Sequence, residues 1–120
     1  MKYLCIVHCE AGAFANQTEE EKRTLDRNSL AYDQDLIARG ILLSADALQS
    51  PGSAAIVKVR NGQMSMTDGP FSEAKEQIAG FILIEARDMA QAIEVAAGIP
   101  MARIGTIEVR PIYDIPDPDR

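Results

Sequence analysis

The residues best suited to acid–base or anion-binding chemistry lie near the two ends of the chain. His8 is the single histidine among 120 residues, and it follows the apolar run Tyr3–Val7. An imidazole can act as a general base near neutral pH when a carboxylate or an amide fixes its tautomer. Glu108 and Arg110, two apart on an alternating segment, could supply that carboxylate and bind an anionic ligand group. The alternative is a purely structural, hydrogen-bonded histidine at a strand end.

A second group of candidates surrounds a compact turn. Asp68 is a further catalytic candidate, and Lys75 is a ligand-binding candidate at the mouth of a cleft. The structural interpretation of the same stretch is that Asp68 caps a turn and Gly69 adopts a backbone conformation that other residues resist. Pro70 then fixes φ, and Phe71 points inward as a plug. For Lys75 the alternative is a solvated charge on a short helix.

The composition excludes several functional classes. Eighteen acidic residues against twelve basic ones give a formal charge of -6, and the pI is near 4.7. Such a chain lacks the basic face with which proteins bind nucleic acids or anionic membranes, so neither is an expected partner. One histidine and two cysteines argue against a metal site. No phosphate-binding loop or dinucleotide fingerprint is present, so we expect no cofactor.

Both cysteines are expected to be free thiols. Cys5 and Cys9 lie four apart in a predicted strand, where their Cα atoms would be about 13 Å apart, beyond the reach of a disulfide. Cys5 is best explained as a small residue facing the core. The first residues hold too short an apolar run for a signal peptide or a membrane span, so a cytoplasmic location is expected.

The hydrophobic periodicity positions these candidates on six strands and two helices. Thr18 and Glu21 form a capping box that begins a helix of about 20 residues, which ends at Gly40. Asp88 and Gln91 begin a second helix that ends near Gly98. The predicted strands are 2–9, 41–48, 54–60, 63–67, 78–86 and 104–112, with a hairpin turn at Asn61-Gly62 and a single helical turn at 72–75.

This order predicts an α+β fold. It is the ferredoxin-like βαββαβ plan with an inserted β-hairpin, in which two helices cover one face of an antiparallel sheet. We expect one domain over residues 1–115 and a short tail over 116–120. The other sheet face carries apolar residues and would be left open, so we expect two copies to pack sheet to sheet as a homodimer.

The stretch from Thr67 to Phe81, which reads TDGPFSEAKEQIAGF, resembles the YCII-related family and in particular its DGPF branch. The likeness extends to the opening strand, to Gly40-Ile41-Leu42 and Asp46-Ala47-Leu48, and to the ending Gly105–Ile112, so it spans essentially the whole chain. It implies a dimeric α/β barrel, in which two ferredoxin-like units face their sheets and leave clefts between them.

The resemblance implies two different functions. Some YCII relatives are small lyase-like enzymes that act on breakdown products of halogenated aromatics with a histidine on the first helix and an acidic partner. The matching region here holds Asn28 and Ser29 and no histidine. DGPF-type relatives are linked to extracytoplasmic-function sigma factors, which implies a regulatory accessory.

Two functional hypotheses therefore stand. The first is a homodimer that binds a small organic ligand, such as an acid, in a cleft by the sheet and serves a regulatory system. The second is a cofactor-independent lyase or isomerase of a small acid, which could be aromatic, with His8 as the base and a nearby carboxylate in support.

Overall fold

The computed structural model describes residues 1–120 and contains six strands and two helices. The connecting segments include short 3-10 turns at Pro51–Ser53 and Pro100–Arg103. The elements, in chain order, are β1 (Lys2–Glu10), α1 (Glu19–Ala38), β2 (Leu42–Ala47), β3 (Ala55–Arg60), β4 (Gln63–Asp68), β5 (Glu76–Glu85), α2 (Met89–Gly98) and β6 (Thr106–Pro111).

Four strands form one antiparallel sheet in the order β2-β5-β1-β6. In this order the strands β1 and β2 from the first half of the chain alternate with β5 and β6 from the second half, as the ferredoxin-like plan requires. Strands β3 and β4 form a separate two-stranded hairpin. The predicted α+β class and the inserted hairpin are therefore confirmed. Both helices pack against the same face of the sheet.

The core lies between that face and the helices. Strand β1 contributes Tyr3 and Cys5, which are 2% and 0% exposed, because alternate residues of a strand point to the same side. Strand β5 contributes Ile84 and α1 contributes Leu36, both fully buried. Burial of an aliphatic side chain of this size stabilises the fold by about 1.5–3 kcal/mol. The buried cluster is completed by Ile41, Ile82, Ala86, Ala92, Val95, Ala96 and Ile99.

Both helices begin at the caps that the sequence predicts. The Thr18 hydroxyl accepts a hydrogen bond from the amide of Glu21 at 3.0 Å, and the Asp88 carboxylate accepts one from Gln91 at 2.9 Å. The two helices are also tied to each other, since the Tyr32 hydroxyl donates to the Val95 carbonyl at 2.7 Å. Gly98 permits this contact, because a Cβ at that position would lie 2.7 Å from Cζ of the Tyr32 ring.

No helix covers the second face of the sheet. Leu4 and Ile6 of β1 pair directly with Leu83 and Phe81 of β5, so these four apolar side chains share that face. Each is only partly buried. We call this set the open face. A sheet with one covered and one apolar uncovered face gives the molecule its thinnest dimension, 19 Å, against 50 and 42 Å in the other directions.

The β3–β4 hairpin extends away from this two-layer body. Its residues Val57, Val59, Met64 and Met66 pair with one another on one side and are 59–66% exposed. The radius of gyration is 16.9 Å, compared with about 14 Å for a compact domain of this length. The hairpin therefore presents an apolar surface that the monomer leaves uncovered.

The structure corrects two predictions on the segment that follows the hairpin. The helical turn predicted at 72–75 is absent, because the Ser72 hydroxyl instead accepts a local hydrogen bond from the Ala74 amide at 3.1 Å and holds an irregular turn. Phe71, expected to point inward, is 79% exposed. Gly69 does have the expected left-handed backbone, with φ of +97°. Neither helix of the molecule is long and apolar enough to cross a membrane.

Candidate functional site

A mainly apolar cleft lies between α1 and the sheet. Its volume is about 770 Å³, and 13 of its 21 lining residues are hydrophobic. The cleft exists because α1 buries only Leu36, near its C-terminal end, against the core. The earlier turns of the helix stand away from the strands, so space remains beneath them.

Small residues on β2 and β5 make the floor of this cleft. Ala45, Ala47, Ala79 and Gly80 all line it. A Cβ on Gly80 would lie 2.8 Å from the backbone oxygen of Asp46, so only glycine lets β2 approach β5 this closely. The irregular register between β1 and β5 falls at the same place, where Val7 pairs with Gly80 and the next residue pairs with Ile78. The floor therefore carries small side chains, and the close approach of β2 to β5 fixes its shape.

Two polar groups in the cleft lack hydrogen-bond partners. The Oε1 atom of Gln17 is buried and accepts no hydrogen bond, and Gln17 lies where the cleft meets a second, polar groove beside α1. Asp33 lines the cleft from α1 and forms neither an ion pair nor a hydrogen bond. Partial burial raises the pKa of the Asp33 carboxyl above its ordinary value of 3.8. Both groups are acceptors that a bound molecule could satisfy.

A different polar cluster lies on the opposite side of the sheet. His8 Nε2 is 2.9 Å from Glu108 Oε1, and the second oxygen of Glu108 is 2.9 Å from Nε of Arg110. The three side chains are together because β1 pairs with β6 in a register that sets Ile6 opposite Glu108 and His8 opposite Thr106. This His8–Glu108–Arg110 cluster borders the open face.

The contact with Glu108 has a consequence for the chemistry of His8. A carboxylate can only accept, so in this contact Nε2 of the imidazole carries the proton. In the neutral ring Nδ1 then holds the lone pair and is the atom able to remove a proton. The His8 side chain is 22% exposed, so the imidazole is not sealed in the core. The geometry is compatible with a general base.

The remaining site candidates stand apart from His8. Lys75 pairs with Glu10 at 3.4 Å, and Asp68 at the end of β4 is exposed and has no ion pair or side-chain hydrogen bond. Both positive charges proposed for ligand binding, on Lys75 and on Arg110, are thus engaged by a carboxylate of this chain. The roles assigned to all of these residues stay predictions.

Neither cysteine offers a reactive thiol. Both are free and buried. Burial raises the pKa of the Cys5 thiol to about 11, and burial together with the negative charges of Glu76 and Glu10 raises the pKa of Cys9. Both side chains are therefore protonated at neutral pH, and a protonated thiol is a poor nucleophile.

Comparison with known proteins agrees with this architecture. The family model of the YCII-related domain matches residues 1–116 of the chain. The chain belongs to the YCII-related family. A relative from Rhizobium meliloti (strain 1021) is 28% identical over 114 residues, which cover 93% of this chain and 92% of the relative. That relative is described as an uncharacterized protein, so its name assigns no activity to this member of the family.

The sequence interpretation of this YCII-related chain did not single out Gln17, Asp26 or Asp33. A signal for the last two was present, because Asp26 and Asp33 are seven apart and a helix brings such positions onto one face. Ser29 lies between them and also lines the cleft. Gln17 gave no such signal, since its position depends on the turns between Glu10 and α1.

We expect Asp33→Asn to stabilise the protein at neutral pH. Because the pKa of Asp33 is raised on folding, the charged form is disfavoured in the folded state, and the free energy of unfolding falls as pH rises from 3.8 through the raised pKa. The asparagine variant is neutral throughout and avoids that loss. Urea unfolding at pH 7 should show a more stable variant, and the difference should disappear below about pH 3.8.

Asp26→Asn is the matched control, since Asp26 is an exposed residue of the same helix that forms no ion pair. It should change the free energy of unfolding little at either pH. Equal stability of wild type and Asp33→Asn at pH 7 would contradict the assigned burial of this carboxyl.

Proposed function

We propose that this YCII-related protein binds a small organic molecule in the cleft between α1 and the sheet. The observation that carries the proposal is the cleft itself, with a volume of about 770 Å³ and a mainly hydrophobic lining. Binding sites for small molecules typically have volumes of about 300–1,000 Å³, apolar walls and a few polar groups that orient the ligand. Asp33 and the unpartnered Gln17 oxygen supply such groups.

The cleft predicts a specific pattern in a thermal-shift screen. A panel of small aromatic molecules, in acid, neutral and amine forms, should include compounds that raise the melting temperature of the wild type, because they bind the native state only. Ser29→Phe should abolish these shifts, since the new ring would occupy the cleft.

Asn28→Phe is the control for the cleft-filling variant. Asn28 is adjacent on α1 and lines the separate polar groove rather than the cleft. It should retain the ligand-induced shifts. Shifts that survive in Ser29→Phe but not in Asn28→Phe would locate binding elsewhere.

The proposal includes a regulatory role for the DGPF-type branch. The turn from Asp68 to Phe71 acts structurally in this proposal, with Gly69 at positive φ and Phe71 exposed where a protein partner can reach it. A net charge of -6 disfavours direct contact with DNA. An accessory of a sigma-factor system would therefore act through a protein partner, with ligand occupancy of the cleft as its input.

We also propose that the working form is a homodimer packed through the open face. The support is physical: Leu4, Ile6, Phe81 and Leu83 form an apolar centre that no element of the chain covers. The His8–Glu108–Arg110 cluster supplies a polar rim beside it, which is the arrangement of a protein–protein interface. Sheet-to-sheet packing across a two-fold axis would bury this centre in both copies.

The dimer should depend on the open face and not on the helix side. Leu83→Lys places a charge in the centre of the proposed interface and should convert a dimer of about twice 13.1 kDa into a monomer in sedimentation at micromolar concentration. Ile93→Lys, at a 55% exposed position of α2, is the control and should remain dimeric. A wild type that sediments as a monomer would refute the interface.

A second candidate function is a cofactor-independent lyase or isomerase of a small acid. It is favoured by one contact, the 2.9 Å approach of His8 Nε2 to Glu108, which leaves Nδ1 as a base. In the proposed dimer this atom would lie at the rim of the interface, where a cleft between subunits can form. The absence of a histidine at positions 28 and 29 of α1 sets this candidate below ligand binding.

Carbon acid chemistry can be detected without knowing the product. Small acids with an aromatic ring on the carbon next to the carboxyl, such as phenylacetate, should gain deuterium at that carbon when incubated with the protein in D2O, as followed by NMR. Loss of a general base costs on the order of 100- to 10,000-fold in rate, so His8→Asn should remove the exchange. Lys2→Gln, an exposed change on the same strand, should keep it. Unchanged exchange in His8→Asn would exclude this mechanism.

A further inference from the structure

The charges around the helix-side cleft are predominantly negative. The ionisable side chains that can face a ligand, apart from the tyrosine, are Lys22, Asp26 and Asp33, so carboxylates outnumber cations two to one. Asp46 also lines the cleft, but it pairs with Phe81, so its carboxylate lies on the open face. Lys22, the one cation of the lining, lies 3.6 Å from Glu19 on the preceding turn in a solvent-exposed pair. The net charge of the cleft lining is therefore negative, which disfavours an anionic ligand.

Two hydrogen-bond acceptors in the cleft are left without partners. The Tyr32 hydroxyl, a donor, is used by the Val95 carbonyl. What remains unsatisfied includes the Asp33 carboxylate and the buried Oε1 atom of Gln17, and both are acceptors. A protonated amine has three donors and no acceptor, so it can bond to both of these acceptors, whereas a carboxylate has no proton to donate to them.

We propose that the cleft selects apolar molecules that carry a protonated amine, with the Asp33 carboxylate as counter-ion and the hydrophobic floor as the site of the apolar part. This inference rests on the proposed ligand-binding function and names its ligand class. It replaces the organic acid expected from the sequence, because the cations expected to hold an acid, Lys75 and Arg110, are each engaged by a carboxylate. A bound ammonium group would also offset the cost of leaving Asp33 partly buried without a partner.

Three probes with one ring and different head groups test the proposal: 2-phenylethylamine, 2-phenylethanol and 3-phenylpropanoate. Calorimetry at pH 7 should rank the amine first, on the order of tenfold tighter than the alcohol, with the acid weakest, because a hydrogen bond to a charged group is stronger than a neutral one. In Asp33→Asn the amine should lose this advantage and bind about as well as the alcohol.

Asp35→Asn is the control, since Asp35 lies on the same helix, pairs with Arg39 and does not line the cleft. It should preserve the ranking. Equal affinities for the amine and the alcohol, with the acid bound equally tightly or more tightly, would overturn the amine inference and leave the cleft as a binding site. Failure of all three probes to bind would overturn both proposals. An amine preference that persists in Asp33→Asn would remove Asp33 as the counter-ion.

Discussion

The structure depends on a sheet that is covered on one face only. Two helices are all that 120 residues provide beyond the strands, and both pack on the same side, where the alternate residues Tyr3, Cys5 and Val7 of β1 point. The intervening residues of β1 and β5, which point to the opposite face, are also apolar. Because burial of apolar surface is the main favourable term in folding, this uncovered face constrains what the molecule can do alone. The proposed dimer and the proposed chemistry at His8 both depend on this face.

The same shortage of covering elements explains the cleft. Helix α1 is 20 residues long, yet a single residue of it, Leu36, is buried in the core. The opposing strands provide alanines and Gly80 where larger side chains would have filled the space. A long helix over a floor of small residues leaves a cavity, whereas α2, which is half as long, buries Ala92, Val95 and Ala96. The cavity is therefore a property of the α1 side of the fold.

The periodic and capped elements were predictable from the sequence, and the irregular ones were not. The caps at Thr18 and Asp88 and the Asn61-Gly62 turn act over three or four residues, so local chemistry determines them. The prediction of a helical turn at 72–75 was wrong because the Ser72 hydroxyl accepts a hydrogen bond from a nearby amide in a turn as readily as at the start of a helix. The predicted inward direction of Phe71 was wrong because that direction depends on the tertiary placement of the hairpin.

The candidate sites differ in the same way. The sequence allowed His8 and Glu108 to be predicted as neighbours. The first and last strands are adjacent in this fold, and the alternation of residues along a strand indicates which side chains share a face. The helix-side cleft could not be foreseen from Asp33 alone, because its partial burial depends on how far α1 stands from the sheet. A long-range distance of this kind leaves no local pattern.

The two candidate sites lie on opposite sides of one strand and share its backbone. Val7 lines the cleft, whereas His8, the next residue, faces the other way and contacts Glu108. The irregular register of β1 with β5 falls between these two residues. Gly105 also fixes this point, because a Cβ there would overlap the His8 carbonyl oxygen. A ligand bound as proposed would contact Val7, one residue from His8, which lies at the rim of the proposed dimer interface. The proposed ligand site and the proposed interface are therefore adjacent along the backbone of β1.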